Sequence, residues 1–321
     1  MTNFTEDFAL WCRECVKVTD NLTGLPAPFI LNAPQRRVLR ELERQRRAGR
    51  PIRLIMLKAR QWGGSTLVQV YMSWMQLVRR RGWNSLICGH VKDASANIRG
   101  MYSQLLRHYP EQLKRADGGE ELTPKELEKL WSFAPFEKSQ NINHIPAREC
   151  RVTVASALAP NAVRGGSYHM AHLSEVAFWG DGDPELAGQI VRSVSGSIPR
   201  LPDTLVVMES TADGEDNFFH DEWQRAVAGQ SDKVPVFVPW HEIEAYRRPV
   251  SEAERDRLFR RMDSYEADLL RGGVPLEAVA WYHEKRKEYA THEQMMAEYP
   301  STPDEAFTAA KTAPLNPMDF Y

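Results

Sequence analysis

Six short apolar runs rich in branched residues, at 52–57, 85–89, 151–155, 168–173, 204–208 and 234–238, punctuate the chain. Helix-like stretches separate them, the first spanning 67–78, and this alternation predicts an α/β fold built on a mostly parallel sheet. Between 102 and 148 the pattern weakens around a turn at Asp117-Gly118-Gly119-Glu120 and a charged helix over 124–130. The segment 139–145, followed by 151–155, reads as a hairpin-like insertion near the sheet edge. After Pro239 the composition changes. Residues 251–270 and 275–289 are charged, amphipathic and helical, and Arg271-Gly272-Gly273-Val274 separates them, which predicts a small helical subdomain packed on the sheet. The stretch 309–321 reads as linker.

At 321 residues and 42% hydrophobic, the chain can bury a substantial core as one large domain or two smaller ones. A net charge of -2 excludes a generally basic coat for nucleic acid, so any polyanion contact must be local. Two arginine tracts offer such a patch, one running from Arg36 to Arg53 and one at Arg79-Arg80-Arg81; the simpler reading of an arginine-rich helix is a solvated face. No run approaches the ~18 apolar residues of a membrane span, and residues 1–10 lack the apolar core of a signal peptide. The expected compartment is the cytoplasm. Four cysteines are too few for a disulfide framework. Cys12 and Cys15 form a C-x-x-C that could be half of a zinc site or a redox pair, but on a helix over 7–18 the same spacing simply shares a face.

The most informative stretch is Lys58-Ala59-Arg60-Gln61-Trp62-Gly63-Gly64-Ser65-Thr66, between the first apolar run and the helix after it. A phosphate loop needs glycines so that backbone N–H groups can converge on an anion, a hydroxyl for magnesium, and a cation for the β and γ phosphates. Gly63 and Ser65 fit, whereas Gly64 stands where the usual lysine would. The cation must then come from Lys58 or Arg60. A hydrolase also needs an acid at the end of a neighbouring strand, and the 168–173 run ends in Ser174-Glu175. Glu175 is the candidate general base or water-orienting group; Ser174 replaces a common aspartate, leaving a hydroxyl able to bond a metal-bound water. Upstream, Arg164 beside Gly165-Gly166 could enter a phosphate site, its own or a neighbour's, or simply sit in a solvated turn. Ser210 and Thr211, at the end of the 204–208 run, could sense a γ-phosphate or cap a turn. Gln35, opening a helix, could present its amide to an adenine edge.

Taken in order, these residues resemble the ATPase part of the large terminase subunit, the DNA-packaging motor of tailed bacteriophages and prophages. KARQWGGST is similar to that family's variant phosphate loop, HLSEVAFW to its acidic motif and ESTADG to its coupling motif; 236–240 and 298–307 resemble segments closing the ATPase region. The resemblance implies a RecA-like P-loop core over 1–240, with an adenine-side segment at 1–50, a helical lid over 241–308 and a linker over 309–321. It implies ATP and Mg2+ as ligands, with Gln35 at adenine, Lys58, Arg60, Gln61, Trp62, Gly63, Gly64, Ser65 and Thr66 around the phosphates, and Ser65, Ser174 and Glu175 near the metal. Glu175 becomes the catalytic glutamate, Arg164 an arginine finger, and Ser210 with Thr211 the link from hydrolysis to movement. Implied partners are double-stranded DNA, the portal protein and the small terminase subunit, in the cytoplasm of the bacterial host. The resemblance also implies a homo-oligomeric ring when docked on the capsid and a monomer in isolation. Complete members continue into an RNase H-like nuclease domain, whereas only about a dozen residues follow 298–307, so no nuclease activity is expected of this chain. Two other readings stay open: a nucleotide-binding assembly protein that does not hydrolyse, and a helicase-like remodeller.

Overall fold

The structure, a computed structural model, describes residues 3–20, 23–90, 94–139, 141–159, 166–180 and 185–312, with backbone only for 94–97 and 311–312. A short antiparallel hairpin pairs β1 (Lys17–Thr19) with β2 (Pro26–Pro28) near the N-terminus. The main sheet contains β3 (Ile52–Lys58), β4 (Asn84–Gly89), β5 (Ala134–Pro135), β6 (Ile142–Ile145), β7 (Cys150–Ser156), β8 (Met170–Ser174), β9 (Leu205–Ser210) and β10 (Val234–Val238). Their spatial order is β10-β3-β9-β8-β4-β7-β6-β5. The strands from β10 to β7 run parallel, and β6 and β5 add an antiparallel edge. This is the mostly parallel α/β sheet expected, with the hairpin-like insertion at its edge.

The central strands are legible as unbroken apolar runs because parallel sheets are covered on both faces. β3 is buried at every position. Leu54 and Met56 point into one core, which also takes in helices α1 (Phe8–Cys15), α2 (Ala33–Arg47) and α3 (Gly64–Trp74); Ile55 and Leu57 point into the other, covered by Leu186–Ser197 and Phe218–Val227. The aromatic residues Trp240, Tyr246, Tyr282 and Tyr299, from the region after β10, belong to the first core, so those helices close over the same face as α3. Cys12 and Cys15 lie on the buried face of α1 as free thiols, and burial pushes the Cys15 thiol up to about 12, away from redox chemistry.

Three expectations need correction. The helical stretch 251–270 is broken, into Glu252–Arg261 and Ser264–Arg271, because Asp263 caps the second helix through a reciprocal box with Glu266. The stretch 309–321 is not linker throughout: helix Pro303–Thr312 runs into it, and 313–321 lie outside the described residues. The first arginine tract is not simply a solvated face. Arg46 and Arg53 are buried, Arg46 paired with Glu43 and Glu6 while its guanidinium lies over the Trp74 ring. Arg79 and Arg80 are likewise tied to Asp203.

Candidate phosphate site

The loop between β3 and α3 is held from both sides. On the N-terminal side, Asn32 caps α2 and donates through Nδ2 to the Trp62 carbonyl at 2.9 Å. Gln35 lies one turn on, its amide oxygen accepting from Asn32 N–H at 3.0 Å and its Nε2 donating to the Gly63 carbonyl at 3.0 Å. As placed, this amide braces the loop through one N–H and one oxygen lone pair. On the other side, Tyr246 Oη donates to the Arg60 carbonyl at 2.8 Å and Arg60 N–H donates to the Glu298 carbonyl at 3.2 Å. The Arg60 guanidinium pairs with Glu298 at 2.9 Å, and Tyr289 Oη donates to the same carboxylate at 2.6 Å.

Two glycines are required by this packing. Gly63 has φ +80, in the left-handed region, and a Cβ there would lie 2.7 Å from Gln35 Nε2. Gly64 starts α3 beneath the Trp62 ring, where a Cβ would lie 2.4 Å from Cζ2. Position 64 therefore has no room for a side chain unless the Trp62 ring moves. Gln61, exposed at φ 55, makes the turn into this stretch. Ser65 and Thr66 follow, half-buried in the first turn of α3.

The chemistry gathers where the parallel strands end. In the sheet register Met56 pairs with Glu209 and Glu209 with Ser174, so the side chains of Met56, Lys58, Glu209, Ser174 and His172 project toward the face that α3 covers. Lys58, with a side chain 9% exposed, sits 2.8 Å from Glu175 Oε1 and 3.0 Å from Glu209 Oε2. Glu209 is fully buried. Its Oε1 accepts from Ser65 Oγ at 2.8 Å and Ser174 Oγ at 2.7 Å and lies 3.2 Å from His172 Nε2. Burial alone would raise the Glu209 carboxyl, but Lys58, His172 and the Ser174 hydroxyl outweigh it and hold the group well below the usual carboxylate range. Burial opposes the Lys58 charge in turn, and Glu209 and Glu175 overcome it, keeping the ammonium firmly protonated.

Glu175 follows β8 in a left-handed conformation, φ 58, which costs a non-glycine residue ~1–2 kcal/mol. The cost is retained where a side chain must be aimed. Its second oxygen, Oε2, receives Ser210 Oγ and Thr211 N–H at 3.4 Å each and Thr211 Oγ1 at 3.5 Å, and Ser210 Oγ also accepts from Ala177 N–H at 3.2 Å. The structure thus brings Lys58, Ser65, Ser174, Glu175, Ser210 and Thr211 together. It turns the Arg60 side chain outward to Glu298, and Arg164 lies outside the described residues.

Sequence reading missed the hub of this network. Glu209 registers in ESTADG as a motif letter, and His172 passes as one residue of an apolar strand. The signal was a carboxylate placed at the buried end of Leu205-Val206-Val207-Met208, since a charge in that position needs a partner.

No protein-family model matches this sequence, and no curated protein does. Among solved structures, the large terminase of bacteriophage HK97 superposes with a TM-score of 0.53 at 15% identity, over 87% of this chain and 55% of that one. At that identity the likeness speaks for the fold, which is the RecA-like α/β arrangement, and this chain spans about half the length of that protein. The ATPase domain of the Thermus phage P74-26 large terminase matches at 0.43 and 14% identity, over 77% of this chain and 86% of that one. The ADP complex of the large terminase from thermophilic bacteriophage D6E matches at 0.42 and 12%, over 73% and 51%. Both are too distant to add to the fold.

Proposed function

We propose that the chain is the ATPase motor of a phage-type large terminase, hydrolysing ATP to drive double-stranded DNA into a procapsid. The observation that carries this reading is the convergence of Lys58, Ser65 and Glu175 on a left-handed glycine loop at the carboxyl ends of parallel strands, where open α/β sheets place their ligands. In this reading the loop from Gly63 to Thr66 wraps the phosphates, while Lys58 and Arg60 offset their charge. Glu175 orients the attacking water, and its strained backbone fits that task. Arg164 acts as a finger toward a neighbouring subunit. Ser210 and Thr211, already bonded to the Glu175 carboxylate, relay phosphate loss to a lid formed by 241–308, whose Glu298 and Tyr246 touch the loop.

The residues suit a divalent cation. Ser65 spends its proton on Glu209, so its lone pairs remain for a metal. Ser65 would hold Mg2+, with Ser174 and Glu175 close by, and the ion would neutralise charge on the β and γ phosphates. Partners in this reading are duplex DNA, portal protein and small subunit, with a homo-oligomeric ring on the capsid in the cytoplasm of a bacterial host. No helix among the described residues is long and apolar enough to cross a membrane.

The deciding experiment compares ATP turnover of the full chain with Glu175→Gln. A water-orienting carboxylate is worth roughly 10²–10⁴-fold, so turnover should collapse while nucleotide affinity survives. Unchanged turnover would remove Glu175 from this role. A wild-type chain that binds ATP without hydrolysing it would favour the assembly-protein reading, and strand separation on forked DNA would favour a helicase-like remodeller.

A further inference from the structure

We propose that Glu209 supplies, from the adjacent strand, the carboxylate that the acidic motif lacks at Ser174, and so acts as the positioning residue for Ser65 and the divalent cation. This rests on the nucleotide-site reading above. The sequence of the motif points to a deficient metal site, because a hydroxyl stands where an aspartate is common. The structure replaces the missing group at almost the same place. Ser174 and Glu209 are direct partners in the parallel register of β8 and β9, and their side chains emerge on the same face. Glutamate is one methylene longer than aspartate. That extra length lets Glu209 Oε1 reach both Ser174 Oγ, at 2.7 Å, and Ser65 Oγ, at 2.8 Å.

Chemistry explains why both bonds run in the same direction. An ionised carboxylate only accepts, so both hydroxyls must donate to it, and each keeps its lone pairs for another electrophile. A Ser65 hydroxyl fixed in this way is oriented for a cation before any nucleotide arrives. Lys58 completes the arrangement, since a fully buried carboxylate needs a neighbouring charge. The lysine displaced to the front of the loop and the acid displaced to the next strand are thus one ion pair. Ser174 is then a requirement of the site. An aspartate there would face Glu209 across the present 2.7 Å contact, and two carboxylates at that distance cannot both be ionised.

The two positions should therefore be exchangeable as a pair and not singly. The test uses the full chain with ADP bound and follows Mn2+ binding by electron paramagnetic resonance, in wild type, Glu209→Gln and the double variant Ser174→Asp with Glu209→Gln. Groups that orient a metal ligand are worth about 10–100-fold in metal affinity. Glu209→Gln should weaken Mn2+ by at least about tenfold on that scale. The double variant should regain most of the loss, because the carboxylate then stands where the acidic motif commonly carries it. Wild-type Mn2+ affinity in Glu209→Gln, or a double variant no better than the single one, overturns the proposal. If Glu209→Gln fails to fold, the double variant decides alone, near-wild-type affinity supporting the exchange and weak affinity overturning it. If wild type itself binds no Mn2+ with ADP, the nucleotide-site reading falls first and takes this inference with it.

Discussion

Replacing Lys58 by methionine keeps the volume of the side chain and deletes its charge. Two carboxylates lose a partner, but they count unequally. Glu175 is about a third exposed and water can screen it, whereas Glu209 is fully buried and retains only two hydroxyls and His172. Removing one member of a buried pair costs about 3–5 kcal/mol because the other charge is left uncompensated. At about 2 °C per kcal/mol for a chain of this size, the melting temperature should fall by roughly 6–10 °C. The deficit should also depend on pH. In wild type the Glu209 carboxyl is depressed, so its contribution is complete above the ordinary carboxylate range and is lost only as pH falls through its lowered value. Lys58 is raised, so its contribution is complete below the ordinary lysine range and is lost only above its own elevated value. Between pH 5 and 8 both are therefore at full strength. In the variant, burial acts on Glu209 without the ammonium and pushes its pKa upward, and a proton taken up by Glu209 removes the uncompensated charge. The gap to wild type should thus be larger at pH 8 than at pH 5. Calorimetric melts of both proteins at the two pH values measure it. An equal gap at both, or a loss below about 2 °C at pH 8, would refute the argument that Lys58 compensates a buried charge.

Gly64→Lys, which restores the usual phosphate-loop lysine, should impair nucleotide binding, because the Cβ alone meets the Trp62 ring at 2.4 Å. Gly64→Ala isolates the clash, with an expected destabilisation of about 1–3 kcal/mol that adding Trp62→Leu should reduce; denaturant melts of the single and double variants would show it. Arg60→Ala should leave stability within about 1 kcal/mol, since its pair with Glu298 is half-exposed. Nucleotide affinity should nevertheless fall. A large loss of stability with affinity unchanged would make Arg60 a structural brace only.

The parallel core was readable because strands covered on both faces leave unbroken apolar runs, and the loop was readable because Gly63 and Ser65 sit two positions apart in the chain. What escaped notice depends on distant partners. Glu209 meets Ser174 through a parallel register that no local pattern announces, and it meets Ser65 across the sheet face. The vacancy at Gly64 looks like a lost function until the Trp62 ring is placed above it. The β1–β2 hairpin escaped because its second strand, Pro26–Pro28, begins and ends with proline and shows no alternation. The break at Asp263 was hidden by the charged residues on both sides of it.

The brace between Arg60 and Glu298 joins positions 238 residues apart, and Trp240 N–H closes the same region onto the Pro300 carbonyl. During synthesis Glu298 emerges 238 residues after Arg60, long after the glycine turn. A nascent chain carrying β3 and α3 but not residue 298 has the loop's sequence without its final shape. The loop is therefore braced from both sides only once residue 298 has been made, and until then Asn32 and Gln35 hold it from one side.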